Sequence, residues 1–328
     1  MARVSIILIY YRVIPYLRPA VRSLLDQTWR DLEVILVDNG TGAGLAPLGE
    51  DANDPRVRLV SLSTNLGYSR GFSAGLAQCS GEFVSMMGID DIALPARIEK
   101  QVALLRVEPR LGVVSSLAKM IDEHGTIMGS EFALVEERDH FVFTAYSTSA
   151  PSPTYTCRRA VFEQFPFRLD FDLAEDYDFL SRALEVWPMR SVPEVLVHYR
   201  CHPGQTTKQY HAEQTLRACL IRLLTARRRH ARDEELAVTL AKIDPWLRAA
   251  PDKAAIYSYF AMWCLRDGFA SLAVYHARKL LSVRRDATAL KTALSVYAAA
   301  LRMEPRETVL LSRLFFTGPL RAHRLKPA

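Results

Sequence analysis

Residues 83–102 read FVSMMGIDDIALPARIEKQV. An apolar run stops abruptly at two adjacent carboxylates, Asp90 and Asp91, and Pro95 follows before a stretch with helical spacing. A strand that ends this way presents its acids at the C-terminal edge of a sheet, where open α/β sheets bind ligands. Hard divalent cations favour carboxylate and phosphate oxygens together. The segment therefore points to a cation and a phosphorylated ligand.

Working outward, RVSIILI (3–9), LEVILVDNG (32–40), RVRLVSLS (56–63) and GEFVSMM (81–87) read as short buried strands. Helical spacing at Leu17, Val21, Leu24 and Leu25 and a small-residue helix at 69–79 separate them. This βα alternation predicts a mostly parallel sheet with right-handed crossovers. The middle, to about residue 203, predicts α+β material: a strand at 112–122, a helix over 157–165, a helix opening on acids at 175–187, and a strand at 192–202. From about residue 209 the pattern is helical, with turns expected at Asp244-Pro245, Pro251, Gly268 and Arg285-Asp286. We expect two domains, 1–207 and 208–328.

The chain of 328 residues has no apolar run long enough to span a membrane and five scattered cysteines. It reads as cytoplasmic, with no cleavable leader. Residues 204–328 hold 22 Lys and Arg against 10 Asp and Glu, whereas the remainder is net acidic. The basic region, including TARRRHAR (225–232) and the Leu-, Phe- and Arg-rich tail, suggests peripheral contact with an anionic membrane face rather than nucleic acid. The absence of GxGxxG after the first strand excludes a dinucleotide-binding dehydrogenase.

Four constellations carry candidate chemistry. Asp38, at the end of the second strand, can accept hydrogen bonds from a base or ribose, or serve its own Asp-Asn-Gly turn. Asp90 is placed as a cation ligand and Asp91 as a helix cap or supporting group. Glu175, Asp176 and Asp178 crowd a helix start, where the dipole favours negative charge and where a general base can stand. His198, Arg200 and His202 alternate towards one strand face ahead of a Pro-Gly turn, suiting phosphate or metal contact.

Taken in order, VSIILIYYR, LEVILVDNG, NLGYSRG, GIDDIALPARIEKQ, AEDYDFLSRAL and HYRCHPGQ resemble family 2 glycosyltransferases of the GT-A fold, over residues 3 to about 207. The resemblance implies a nucleotide-diphospho-sugar donor, Mn2+ or Mg2+, inversion at the anomeric carbon and a glycan or lipid-linked acceptor in bacterial-type surface polysaccharide synthesis. It assigns Asp176 as base with Glu175 beside it, and Asp90 and His202 to the metal. Asp38, Asn39, Arg70, Asp91, Glu175 and Arg200 go to the nucleotide sugar. The chain departs from the family at Gly88, where the first acid of Asp-x-Asp is expected, and at Ile9, Tyr11, Phe72 and Ser73. Gly88 motivates the alternative of a GT-A module that binds nucleotide sugar or a partner without catalysis.

Overall fold

The computed structural model describes residues 3–132, 134–249 and 252–303. They form two compact units: residues 3–144 with 148–205, and 145–147 with the residues from 206 onward.

The first unit opens with β1 (Val4–Tyr10), α1 (Leu17–Leu25), β2 (Leu32–Asn39), β3 (Val57–Leu62), α2 (Tyr68–Ala77) and β4 (Phe83–Met86). β1 pairs in parallel with β2 and β4, and β2 with β3. The path runs outward from β1 to β3 and then returns to β4 on the other side of β1. This reversal opens a crevice beyond the C-terminal ends of β1 and β4. Helices cover both faces, so β1 and β2 are buried at every position, whereas β3 at the edge is largely exposed. In β1, Val4, Ile6, Leu8 and Tyr10 pack with Leu17, Val21 and Leu24 of α1. Ile7 and Ile9 enter the opposite core with Phe72, Phe162 and Phe179.

Beyond β4 come β5 (Ile92–Ala93), α3 (Arg97–Val107), β6 (Val113–Ile121), β7 (Ile127–Phe132), α4 (Glu137–Phe143), β8 (Thr156–Arg158), α5 (Arg159–Gln164), α6 (Glu175–Ala183) and β9 (Met189–Arg200). Pairing becomes mixed: β8 is antiparallel to β4 and β6, β9 is parallel to β6, and β5 is antiparallel to β9. The order is β3-β2-β1-β4-β8-β6-β9-β5, with β7 on β6. The stretch 157–165, read as one helix, divides into the end of β8 and α5, because Cys157 and Arg158 find partners on β4 and Cys157 also on β6. That pairing is invisible to local spacing.

The second unit contains α7 (Thr206–Gln209), α8 (His211–Arg229), α9 (Leu236–Ala249), α10 (Lys253–Arg266), α11 (Ala270–Val283) and α12 (Ala287–Met303). Asp252 caps α10 by accepting from Ala255 N at 2.8 Å, and Gly268 turns the chain after it with φ of 86°. The turn expected at Asp244-Pro245 lies instead within α9. TARRRHAR is not an open basic face either. Arg227 is buried and bonds Asp267 Oδ2 at 2.5 Å and Thr239 Oγ1 at 3.0 Å, Arg228 pairs with Glu234, and Arg232 bonds the Asp267 carbonyl. No helix among the described residues is long and apolar enough to cross a membrane. The tail assigned to membrane contact, 305–328, lies outside the described residues.

Candidate active site

Asp90 and Asp91 follow β4 directly. Asp90 Oδ2 lies 3.0 Å from His202 Nε2, so the two residues assigned to a metal meet across 112 positions of sequence. Tyr16, after β1, has its ring centroid 5.2 Å from that of His202 and carries the Arg200 guanidinium over its face at 4.5 Å. Asp91 does not cap a helix: α3 begins only at Arg97, after β5 and Pro95. Its carboxylate is buried and accepts from Arg200 N at 2.8 Å through Oδ1, while Oδ2 has no hydrogen-bond partner among the described residues. Burial first, and then the neighbouring Asp90, push the Asp91 carboxyl well above the usual carboxylate range.

Arg200 was expected on a diphosphate. Its guanidinium is instead bonded to the carbonyls of Asp90 (2.8 Å), Asp122 (3.1 Å) and Glu123 (3.2 Å). It fastens the β6–β7 turn to the acidic motif. His198 sits on β9 opposite Ile92 and stands apart from these contacts.

Asp38 and Asn39 are also turned towards the protein. Asp38 is 1% exposed and accepts from Thr41 N (2.8 Å), Thr41 Oγ1 (2.6 Å) and Gly44 N (2.9 Å). Burial opposes ionisation there, but these hydrogen bonds outweigh it and hold its pKa below the ordinary value. The turn reading therefore describes Asp38 in this structure. Asn39 donates to Asn65 Oδ1 and the Gly67 carbonyl and accepts from Leu66 N, which shapes the loop before α2. Arg70 is exposed on the first turn of α2 and makes no hydrogen bond or ion pair among the described residues. A cation at a helix N-terminus is unfavourable alone and favourable beside a bound anion.

The same loop is held from the far side by Asp172, which accepts from Ser69 N at 2.9 Å. Gly67 has φ of 84°, and a side-chain carbon there would collide with Asp172 Oδ2. Leu173, with φ of 80°, then leads into α6. A non-glycine residue held in this region stores about 1–3 kcal/mol of strain.

That strained entry delivers Glu175 and Asp176. Both keep a strip of surface yet are enclosed by protein. Burial, then Asp176 and Asp172, push the Glu175 carboxyl up to about 8, and Oε2 has no hydrogen-bond partner among the described residues. Burial also raises Asp176, against hydrogen bonds from Tyr177 N (2.7 Å) and Ser152. The segment carrying Ser152 and Tyr155 reaches the acidic motif too: the Tyr155 carbonyl accepts from Met86 N at 3.1 Å and Ser85 Oγ at 2.9 Å. Asp178 has a different role. It is fully buried between Arg168 and Arg182 and ties α6 to the preceding loop.

Sequence reasoning missed four residues. Arg97 is completely buried and bonds Ser85 Oγ (2.8 Å) and the Met86 carbonyl (2.9 Å) beneath the acids. Burial lowers its pKa to about 9. Arg12 bonds the Gly204 carbonyl close to His202. Tyr16 and Asp172 complete the set. Only Arg12, charged and directly after a buried strand, carried a signal at sequence level.

The sheet is of the mixed GT-A type, with acids at its strand tips. The model of glycosyl transferase family 2 matches residues 5–169, half of the chain. An uncharacterized glycosyltransferase of Haemophilus influenzae is 30% identical over 223 residues, covering 64% of this chain and 69% of that protein. The O-antigen biosynthesis glycosyltransferase WbnJ of Escherichia coli is 24% identical over 215 residues, covering 62% and 82%. The chain spans 63 to 69% of the length of three curated relatives. Among solved structures, S. aureus TarS 1–349 in complex with UDP-GlcNAc matches with a TM-score of 0.58 at 17% identity, covering 94% of this chain and 83% of that one. At that identity the match speaks for the fold alone. The chain belongs to glycosyl transferase family 2 and is a glycosyltransferase.

Proposed function

We propose that this glycosyltransferase inverts the anomeric carbon of a nucleotide-diphospho-sugar as it moves the sugar to a hydroxyl of a glycan or lipid-linked acceptor, in cell-surface polysaccharide synthesis. The observation that carries the reading is two acidic groups: Asp90 against His202 just beyond β4, and Glu175-Asp176 at the start of α6, linked through the 152–155 segment. The UDP-GlcNAc complex of TarS and the O-antigen role in the name of WbnJ support donor and pathway class.

Asp176, with Glu175 beside it, takes the proton from the acceptor hydroxyl as its oxygen bonds to the anomeric carbon. The bond from that carbon to the diphosphate oxygen breaks with its electron pair staying on the diphosphate. The sugar passes through an oxocarbenium-like state. A base whose pKa is raised towards neutrality holds a proton firmly once it is taken. Arg70, exposed and with no ion pair among the described residues, receives the donor's negative charge. Asp38, Asn39 and Arg200 shape the loops around the donor, and Asp91 supports Asp90.

The residues fit a divalent cation. Asp90 and His202 offer oxygen and nitrogen donors, and Asp91 Oδ2 is a buried oxygen without a hydrogen-bond partner among the described residues. Among the described residues no three His, Cys, Asp or Glu side chains form a ready cage. Mn2+ or Mg2+ would complete its shell from diphosphate and water. When bound, such a cation stabilises charge on the leaving diphosphate. The retained base and Asp90–His202 pair favour catalysis over the binding-only alternative raised by Gly88. We place the chain in the cytoplasm, with any anionic membrane contact resting on the basic C-terminal region.

A nucleotide-release screen across donor sugars with Mn2+, run beside Asp176→Asn, tests the reading. Release that depends on acceptor and collapses in the variant supports it; acceptor turnover undiminished in Asp176→Asn would remove the base assignment.

A further inference from the structure

β4 and β8 pair as a ladder only as far as Ser85 and Thr156. Because the two strands are antiparallel, the chain leaving β4 and the chain entering β8 lie at the same sheet edge, and there they part. One continues through Met86 and Met87 to Asp90. The other, traced back from Tyr155, reaches Ser152, whose hydroxyl donates to Asp176. The acidic motif and the base therefore stand on the two arms of one fork.

Helix α3 holds that fork where it divides. Arg97, its first residue, is completely buried. Its Nη2 donates to Ser85 Oγ at 2.8 Å and the Met86 carbonyl at 2.9 Å on one arm, and to the Tyr155 carbonyl at 3.3 Å on the other. Gln101 is also buried; it donates to the Thr154 carbonyl at 2.6 Å and accepts from Thr156 Oγ1 at 2.7 Å. Residues four apart share a helix face, so both side chains reach the same place.

An arginine is an unfavourable way to fill a core position. The hydrogen-bond partners of Arg97 among the described residues are all uncharged. A buried cation without a carboxylate in contact is costly, where an apolar side chain of similar volume is not. The guanidinium supplies instead a rigid plane that reaches both arms at once, which Lys does not. Departures of this kind from ordinary core packing gather at functional sites.

We propose that Arg97, assisted by Gln101, is a positioning residue that fixes the spacing between the acidic motif and Asp176, so that the acceptor hydroxyl meets base and donor in one geometry. Completely buried, it touches no substrate and acts through the segment from Tyr155 to Ser152. This rests on the assignment of Asp176 as base.

The test is a double-mutant cycle in the full chain, with Mn2+ and the nucleotide sugar selected by the release screen, reading kcat and donor KM, with folding checked by thermal melting. Arg97→Lys keeps the charge but does not bridge both arms, and is expected to lower kcat about 10- to 100-fold with donor KM within about 2-fold. Ser152→Ala, at a partly exposed position, cuts the last link to Asp176 and is expected to lower kcat about 3- to 10-fold. In an Asp176→Asn background each should change kcat by less than about 2-fold, because the group they position is gone. A merely structural role predicts losses that multiply. Unchanged kcat in either variant, losses that multiply with Asp176→Asn, or a loss confined to KM overturns the proposal and leaves the base assignment intact. Should Arg97→Lys fail to fold, Ser152→Ala decides by the same criteria. Undiminished turnover in Asp176→Asn, or no nucleotide release from any donor, removes the functional reading and this inference with it.

Discussion

Replacing Glu175 with Gln should make the protein more stable, and only at high pH. The carboxyl of Glu175 is raised from 4.5 to about 8, by burial first and then by Asp176 and Asp172. Between those two values the folded chain keeps a proton that the unfolded chain releases. Stability must therefore fall as pH rises through that window. One pKa unit corresponds to about 1.4 kcal/mol, so the whole shift sets an upper limit of about 5 kcal/mol at pH 9. Glu175 retains some contact with solvent, which screens the charge and brings the expected cost to about 2 kcal/mol. Gln fills the same space and does not ionise. Urea unfolding should show Glu175→Gln and wild type close together at pH 4.5, and the variant more stable by about 2 kcal/mol at pH 9. Parallel stability curves for the two proteins across that range would refute the reasoning, because they would mean that Glu175 ionises as freely in the fold as in the unfolded chain.

The other predictions concern the neighbouring groups. Asp176→Asn should lower kcat by about 100- to 10,000-fold with little change in donor KM, as steady-state nucleotide release will show; a large KM effect at preserved kcat would point to a binding role. Asp178→Ala removes a fully buried carboxylate from between Arg168 and Arg182 and should cost about 3–5 kcal/mol in denaturant unfolding. A loss under about 1 kcal/mol would show that water replaces the ion pairs. Arg70→Ala should raise donor KM about 10-fold while leaving the melting temperature unchanged, since Arg70 is exposed and holds nothing in the fold; an unchanged KM would remove Arg70 from the donor site.

β1, β2 and β4 were legible because burial on both faces writes itself into composition: Val4–Tyr10, Leu32–Asn39 and Phe83–Met86 are buried at every position. The acids at the strand ends were legible for the same reason, since polarity begins where the core stops. Directions were harder to read. Asp38 and Asn39 end a strand as expected, yet their side chains turn back to hold residues 41–44 and 65–67. Arg97 reads as a charged helix start and is completely buried under the acids. Arg200 reads as a phosphate ligand and binds three carbonyls. In TARRRHAR the charges read as outward, and Arg227 points inward to Asp267.

The sequence by itself determined the βα order, the helical C-terminal region, the family, and which residue types stand at the strand tips. These follow from hydrophobic period and chain order, which are local properties. Tertiary structure alone decided which acid meets which partner. His202 reaches Asp90 across 112 positions, Arg200 N reaches Asp91 across 109, and Asp172 reaches Ser69 across 103. The meaning of Gly88 belongs to this second kind of information. As a letter it is an acid that is missing; in the fold it is a position whose side-chain space the Asp90 and Asp91 carboxylates fill. Whether a position can carry a group depends on what packs against it, and packing is set by residues far along the chain.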